Sequence, residues 1–65
     1  MNLNDAEREA LLASADKHDE AATEIRVIAE TLQDAGYTVH AKHLLEVTAR
    51  MVEHVDAARD LARKS

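Results

Sequence analysis

The sequence predicts an all-α fold, an antiparallel two-helix hairpin that dimerises into a four-helix bundle. Three observations predict it. The 65 residues contain no proline and a single glycine, Gly36, near the middle of the chain. On both sides of this glycine, apolar residues recur with helical spacing. The chain also lacks cysteine, so association is the remaining way to support a core that is small for one domain.

The first helix is expected from about residue 4 to about residue 35 of a single domain spanning 1–65. Asn4 suits the N-cap, and Glu7 three residues later completes a capping-box pattern. Residues 14–19 form the weakest helical stretch, and Asp19 could cap a separate helix, so a three-helix alternative stays open. The broad apolar face comprises Leu11, Ser14, His18, Ala21, Ala22, Ile25, Ile28, Ala29, Leu32 and Ala35.

The bend is expected at residues 36–38. Gly36 suits the left-handed position that ends a helix, and Tyr37 would follow it with its side chain against Leu32. The hydroxyl of Thr38 would then cap the second helix. So short a connection predicts that the two helices are antiparallel neighbours.

The second helix is expected from about residue 39 to residue 64, with a central stripe through Leu44 and Met51. Its apolar arc is wider than one neighbouring helix requires, and the surplus predicts a second contact surface. We therefore expect a homodimer. The predicted dimer contact comprises Leu44, Leu45, Thr48, Met51, Val52 and Val55.

The net charge of −5 is unevenly distributed along the chain. Residues 1–35 hold nine acidic and three basic residues, whereas residues 36–65 hold four acidic and five basic ones. Because an acidic chain repels phosphate backbones, nucleic acid is an unlikely partner on charge. No long apolar run and no charged-then-apolar leader is visible, so the expectation is a cytoplasmic protein without membrane contact.

The residue types needed for catalysis are missing. Cysteine is absent, no glycine-rich loop could hold a phosphate, and neither Ser14 nor Ser65 has an oriented base. A single hairpin also offers no concave pocket of enzyme size. We expect no catalytic residue, no cofactor and no enzymatic activity.

The histidines are the residues that could form a functional site. Folding the chain about Gly36 and Tyr37 places His18 opposite His54 or Val55. His18 and His54 are weak candidates for metal ligands, doubled in a dimer, but a zinc or iron site needs three or four ligands, so no metal site is expected. A polar pair that fixes the register and a pH-sensing pair are the alternatives.

These features favour a small protein–protein interaction module, an inhibitor or adaptor of the kind found among phage and plasmid accessory proteins. Leu12 and Val27 lie among acidic residues on the polar side of helix 1 and would contact an unidentified protein partner. One alternative is a dimeric hairpin that binds structured nucleic acid, since the layout is similar to plasmid copy-number proteins that bind paired RNA loops. The other is a histidine-based module that responds to metal or pH.

Overall fold

The computed structural model describes residues 2–64, and these form two α-helices without any strand. Helix α1 spans Asp5–Asp34 and helix α2 spans Thr38–Lys64. They lie side by side as a hairpin that measures 48 × 15 × 11 Å. The predicted all-α fold is confirmed over this part of the chain; residues 1 and 65 of the expected domain lie outside the described residues.

Helix α1 begins with a complete capping box. Asn4 has extended backbone angles, and its side-chain Oδ1 accepts the backbone N–H of Glu7 at 2.7 Å. The Oε1 of Glu7 in turn accepts the backbone N–H of Asn4 at 3.0 Å. Two of the N–H groups that a helix start leaves unpaired are therefore satisfied, and the Glu7 carboxylate also faces the positive end of the helix dipole.

Helix α1 continues without a break through residues 14–19, so the three-helix alternative is wrong. The reason lies in packing. Ala15 within this stretch and Ala22 after it are both buried against α2, and their seven-residue spacing keeps them on one side of a continuous helix. Tertiary contact thus outweighs the weak helix propensity of the polar residues in between.

Helix α1 ends in a Schellman motif. Gly36 has φ of +94°, and its N–H donates to the carbonyl of Gln33 at 3.1 Å. The N–H of Tyr37 donates to the carbonyl of Leu32 at 2.8 Å. These two bonds define the motif and satisfy carbonyls that the end of the helix would otherwise leave unpaired.

Thr38, which the sequence places in the turn as a cap, is instead the first residue of α2. The carbonyl of Tyr37 accepts the N–H of Ala41 at 3.0 Å, so Tyr37 occupies the capping position. Because the Schellman motif already reverses the chain direction by Tyr37, no further spacer residue is required. The connection is residues 35–37, as long as the expected 36–38 but one residue earlier in the chain.

The two helices meet along small side chains at seven-residue intervals, which we call the seam. Every seam residue is at most 4% exposed, and Val55 is the largest of them. The hydroxyl of Thr48 donates to the carbonyl of Leu44 at 2.9 Å, which satisfies the polar group in the seam. The seam comprises Ala15, Ala22 and Ala29 of α1 with Ala41, Thr48, Val55 and Ala62 of α2.

The seam displaces the expected centre of the helix contact. Leu44 and Met51, predicted in the middle of the α2 stripe, are only half-buried. Small residues take the line of closest approach because they let the helix axes come to the lower end of the usual range of about 8–10 Å. Larger side chains then lie beside that line and remain partly exposed.

Gly36→Ala should destabilise the protein through its backbone alone. A Cβ at this position would meet no atom within 4 Å, but φ of +94° costs an L-residue about 1–2 kcal/mol. Gly36→Val should cost more because a β-branched residue resists this conformation. Urea denaturation of synthetic chains tests this, with D-alanine at position 36 as the control that keeps wild-type stability. Equal stability of the two alanine enantiomers would contradict the assignment.

Enlarging the seam should separate the helices. Ala22 is fully buried, so Ala22→Leu should cost about 1–3 kcal/mol by overpacking. Ala13→Leu is the matched control, because Ala13 is exposed on the opposite side of the same helix. Denaturation at one fixed protein concentration should show a loss for the first variant only. The same midpoint for both variants would mean that the helices do not pack along the seam.

Candidate functional site

One of the two long surfaces beside the seam is built from apolar and uncharged residues, and we call it the apolar face. In an antiparallel hairpin, residues that are rotated away from the seam in the same direction around each helix lie on the same surface of the hairpin. Ile28 and Leu61 are 53% and 51% exposed there. The apolar face comprises Leu11, Ser14, His18, Ala21, Ile25, Ile28 and Leu32 of α1 with His40, Leu44, Val47, Met51, His54, Ala58 and Leu61 of α2.

The opposite surface, which we call the charged face, is marked by the ion pairs that join the helices. Nη2 of Arg59 lies 3.0 Å from Oδ1 of Asp16 and 3.4 Å from Oδ2 of Asp19. The hydrogen bond to Asp16 is the main reason that the pKa of Arg59 is raised. The pairs are exposed to solvent and contribute little to stability, but they show which flank of α1 lies beside which flank of α2.

The predicted dimer contact is divided among three places. Thr48 and Val55 are buried in the seam, Leu44 and Met51 lie on the apolar face, and Leu45 and Val52 lie on the charged face. Consecutive residues of a helix point about 100° apart, so neighbours such as Leu44 and Leu45 fall on opposite sides of the hairpin. One flat contact cannot include all six. Thr48 and Val55 are already used within a single chain.

His18 and His54 line one cavity of about 170 Å³ at the apolar face. Nδ1 of His18 lies 2.7 Å from the carbonyl oxygen of Ser14 and 3.4 Å from its hydroxyl. A carbonyl only accepts hydrogen bonds, so Nδ1 carries the proton and donates. The neutral ring then keeps Nε2 as a free acceptor. The remaining lining residues are Ser14, Ala15, Val55 and Ala58.

Both histidines interrupt apolar series with seven-residue spacing. In α1 the position of His18 repeats as Leu11, Ile25 and Leu32. In α2 the position of His54 repeats as His40, Val47 and Leu61. Three histidines therefore interrupt these two series: His40 lies near the turn, while His18 and His54 share one cavity. The middle of the apolar face therefore carries two polar imidazoles.

A complete metal site does not form within the part of one chain that the structure describes. Over residues 2–64, no three His, Cys, Asp or Glu side chains are grouped closely enough to hold a metal ion. His18 and His54 supply two imidazoles, fewer than the three or four ligands that zinc requires. Asp19, the neighbouring carboxylate, is paired with Arg59 on the charged face.

The outer surface of α2 carries a second depression, of about 480 Å³. Its lining residues are Asp56, Ala57, Arg59, Asp60 and Arg63, so α1 takes no part in it. The hydrogen bond from Lys64 is the main cause that lowers the pKa of Asp60, and Arg63 adds to it. Asp60 thus pairs with Arg63 and Lys64 along α2, whereas Arg59 pairs with Asp16 and Asp19 of α1.

Leu12 and Val27, the predicted partner contacts, are 38% and 57% exposed on α1. They are separated by 15 residues, or about 22 Å along the helix. The structure exposes both side chains but does not bring them together into one patch. Acidic residues lie between them on the same outer surface, Asp16 and Glu20 among these.

Neither α1 nor α2 contains a stretch apolar enough, over a sufficient length, to cross a lipid bilayer. No protein-family model matches this chain, and comparison with curated proteins and with solved structures gives no significant match.

Proposed function

We propose that this chain is a non-catalytic protein–protein interaction module that acts as a homodimer. Two hairpins pack with their apolar faces together and form a four-helix bundle. The observation that supports this proposal is the apolar face itself, where Ile28 and Leu61 remain about half exposed in the single chain. A second hairpin provides the layer that these side chains lack.

The accessible area supports a partner of the same size. The chain exposes 4974 Å². A compact folded monomer of this mass exposes about 4100 Å². The excess of about 850 Å² is close to the ~800 Å² that each partner buries in a standard protein–protein interface. Compared with a compact monomer of this mass, the two-layer hairpin therefore exposes additional surface about equal to the area that one partner buries in a standard interface.

The distribution of charge favours a second copy as the occupant of the apolar face. Although 32% of the residues are charged, the residues of this face include no Asp, Glu, Lys or Arg. Two copies can therefore meet there without placing like charges in contact, despite a net charge of −5 on each. A strongly charged partner would find no complementary group on this face.

The small size of the seam residues also favours dimerisation. Alanine buries little apolar area, and burial stabilises by about 25 cal/mol per Å². The larger side chains that could contribute more, such as Ile25 and Met51, are only half-buried in one hairpin. Their burial is completed only when a second apolar face covers them.

Ile28→Glu should shift the protein toward monomer, while Val27→Glu should not. The two residues are adjacent, β-branched and similarly exposed, at 53% and 57%, but only Ile28 lies on the apolar face. An unpaired carboxylate in that contact should weaken association by about 100-fold or more. Sedimentation equilibrium measures this, against an expected wild-type mass of twice 7.2 kDa.

Circular dichroism on the same samples separates loss of association from loss of helicity. A wild-type protein that sediments as a helical monomer would refute the dimer. Equal weakening by Ile28→Glu and Val27→Glu would place the contact elsewhere than on the apolar face.

In such a dimer, the outer surface of α1 is available for a different protein. Helix α1 carries nine acidic and three basic residues, with Leu12 and Val27 exposed among them. This surface fits a basic partner that has shallow apolar pockets about 22 Å apart. The dimer would present two copies of it, as an inhibitor or an adaptor does.

The double variant Leu12→Ala and Val27→Ala should weaken binding to a basic partner protein recovered from the native host by about tenfold or more. Val39→Ala is the control, because Val39 is 79% exposed but lies on α2. Calorimetric titration with the purified partner measures both. Unchanged affinity in the double variant, or an equal loss in the control, would exclude these residues as the contact.

A further inference from the structure

We propose that protonation controls the dimer, in which His18 and His54 of both chains meet at the centre of the apolar contact. The chains associate when these imidazoles are neutral and separate when they are protonated. This inference rests on the homodimer proposed above. It assigns regulation to the two histidines that share the cavity at the middle of the face. The four imidazoles of a dimer form one cluster, of which each chain holds half.

The position of the histidines along the hairpin brings them together in either symmetric arrangement. The centre of α1, Asp5–Asp34, falls between residues 19 and 20, and that of α2, Thr38–Lys64, at residue 51. At 1.5 Å per residue, His18 lies about 2 Å and His54 about 4–5 Å from these centres. A two-fold axis parallel to the hairpin places residues at the same height in the two chains opposite each other. A two-fold axis perpendicular to the hairpin, through its middle, places the central regions of the two chains opposite each other. Either axis therefore brings the His18 and His54 pair of one chain opposite that of the other.

The hydrogen bond of His18 determines what protonation does. Nδ1–H already donates to the Ser14 carbonyl at 2.7 Å, so the second proton goes to Nε2. That adds a charged donor at the cavity shared with His54. In a separate hairpin, water solvates this donor through the open cavity. In the dimer, the second apolar face replaces the water, and the charged form loses its solvation.

No carboxylate on the apolar face compensates for that charge. Among charged residues, Lys17 and Glu24 of α1 and Arg50 and Lys64 of α2 lie nearest the edges of the face by helical position. Lys17 is adjacent to His18 and Arg50 is one turn from His54, whereas Glu24 is six residues, or about 9 Å along the helix, from His18. Asp16 and Asp19 lie across the seam and are paired with Arg59. The charged residues nearest the imidazoles along the edges of the face are therefore cations, which repel the protonated form.

The expected size of the effect follows from proton linkage. An imidazole in water titrates near pH 6.5, and carboxylates titrate about two units lower, so histidines dominate between pH 7.5 and pH 5.5. Each imidazole that stays neutral in the dimer but protonates in the separated chain raises Kd about tenfold over this interval. The four imidazoles of a dimer together raise Kd by up to about 10⁴-fold. Association therefore weakens as the pH falls from 7.5 to 5.5.

The test measures Kd by sedimentation from pH 7.5 to 5.5 in the presence of a metal chelator, with helicity followed on the same samples. Wild type should weaken by about 10³- to 10⁴-fold, and His18→Gln by no more than about 10²-fold, since two imidazoles remain. The double variant His18→Gln and His54→Gln should lose the response and still dimerise at pH 5.5. The control His43→Gln should respond as wild type does, because His43 is exposed near the turn and lies outside the apolar face.

The outcomes separate this inference from the dimer itself. A dimer whose Kd is constant across the interval overturns the inference and leaves the proposed function standing. A monomer at every pH removes the proposed function. A response that persists without His18 and His54, that disappears when His43 is replaced, or that requires added zinc in place of the chelator also overturns the inference.

Discussion

The close contact of small side chains along the seam is the constraint on which the rest of the structure depends. Alanines at seven-residue intervals on α1 face Ala41, Thr48, Val55 and Ala62 on α2, and none of these can hold the helix axes far apart. Larger residues placed on that line would clash, so they lie on either side of it. The seam therefore creates two separate surfaces, one apolar and one charged, from a chain that is too short to enclose its large side chains.

The turn determines which residues share the seam. The Schellman motif at Gly36 fixes where α1 ends, and Tyr37 starts the hydrogen bonds of α2 directly. A shift of one residue in either helix would rotate its contact line by about 100° and replace the small residues with larger or charged ones. Gly36 provides the positive φ that this reversal needs, which makes a single backbone conformation responsible for the placement of both faces.

Local chemistry made much of this predictable from sequence. A lone glycine between two periodic segments indicates a hairpin, and Asn4 with Glu7 indicates a helix start, because the hydrogen bonds involved span only a few residues. The seam was less visible. Periodicity weighted by hydrophobicity is dominated by leucine and methionine, so Leu44 and Met51 were expected at the centre instead of Ala41 and Thr48. Steric size, not hydrophobicity, decides the line of closest approach. The seven-residue spacing of small residues was the signal that could have identified it.

The candidate site was predictable in part for a related reason. The sum of sequence positions across a hairpin depends only on the turn, which is enough to place His18 and His54 near each other. What it does not give is the side of the hairpin on which they lie, since that depends on where the seam runs. With the seam through Ala15 and Val55, both histidines fall on the apolar face.

An apolar residue at position 18 would extend the series of Leu11, Ile25 and Leu32 and bury more area against a second copy. The chain instead places two imidazoles at the middle of the surface where apolar burial would stabilise most. A departure from an otherwise consistent pattern is expected where function opposes stability. If stability alone shaped this surface, the polar residues would be better tolerated at its ends, where water remains. Their central position fits the proposed response to protonation, because in the proposed dimer the middle of the contact is where association would remove the imidazoles from water.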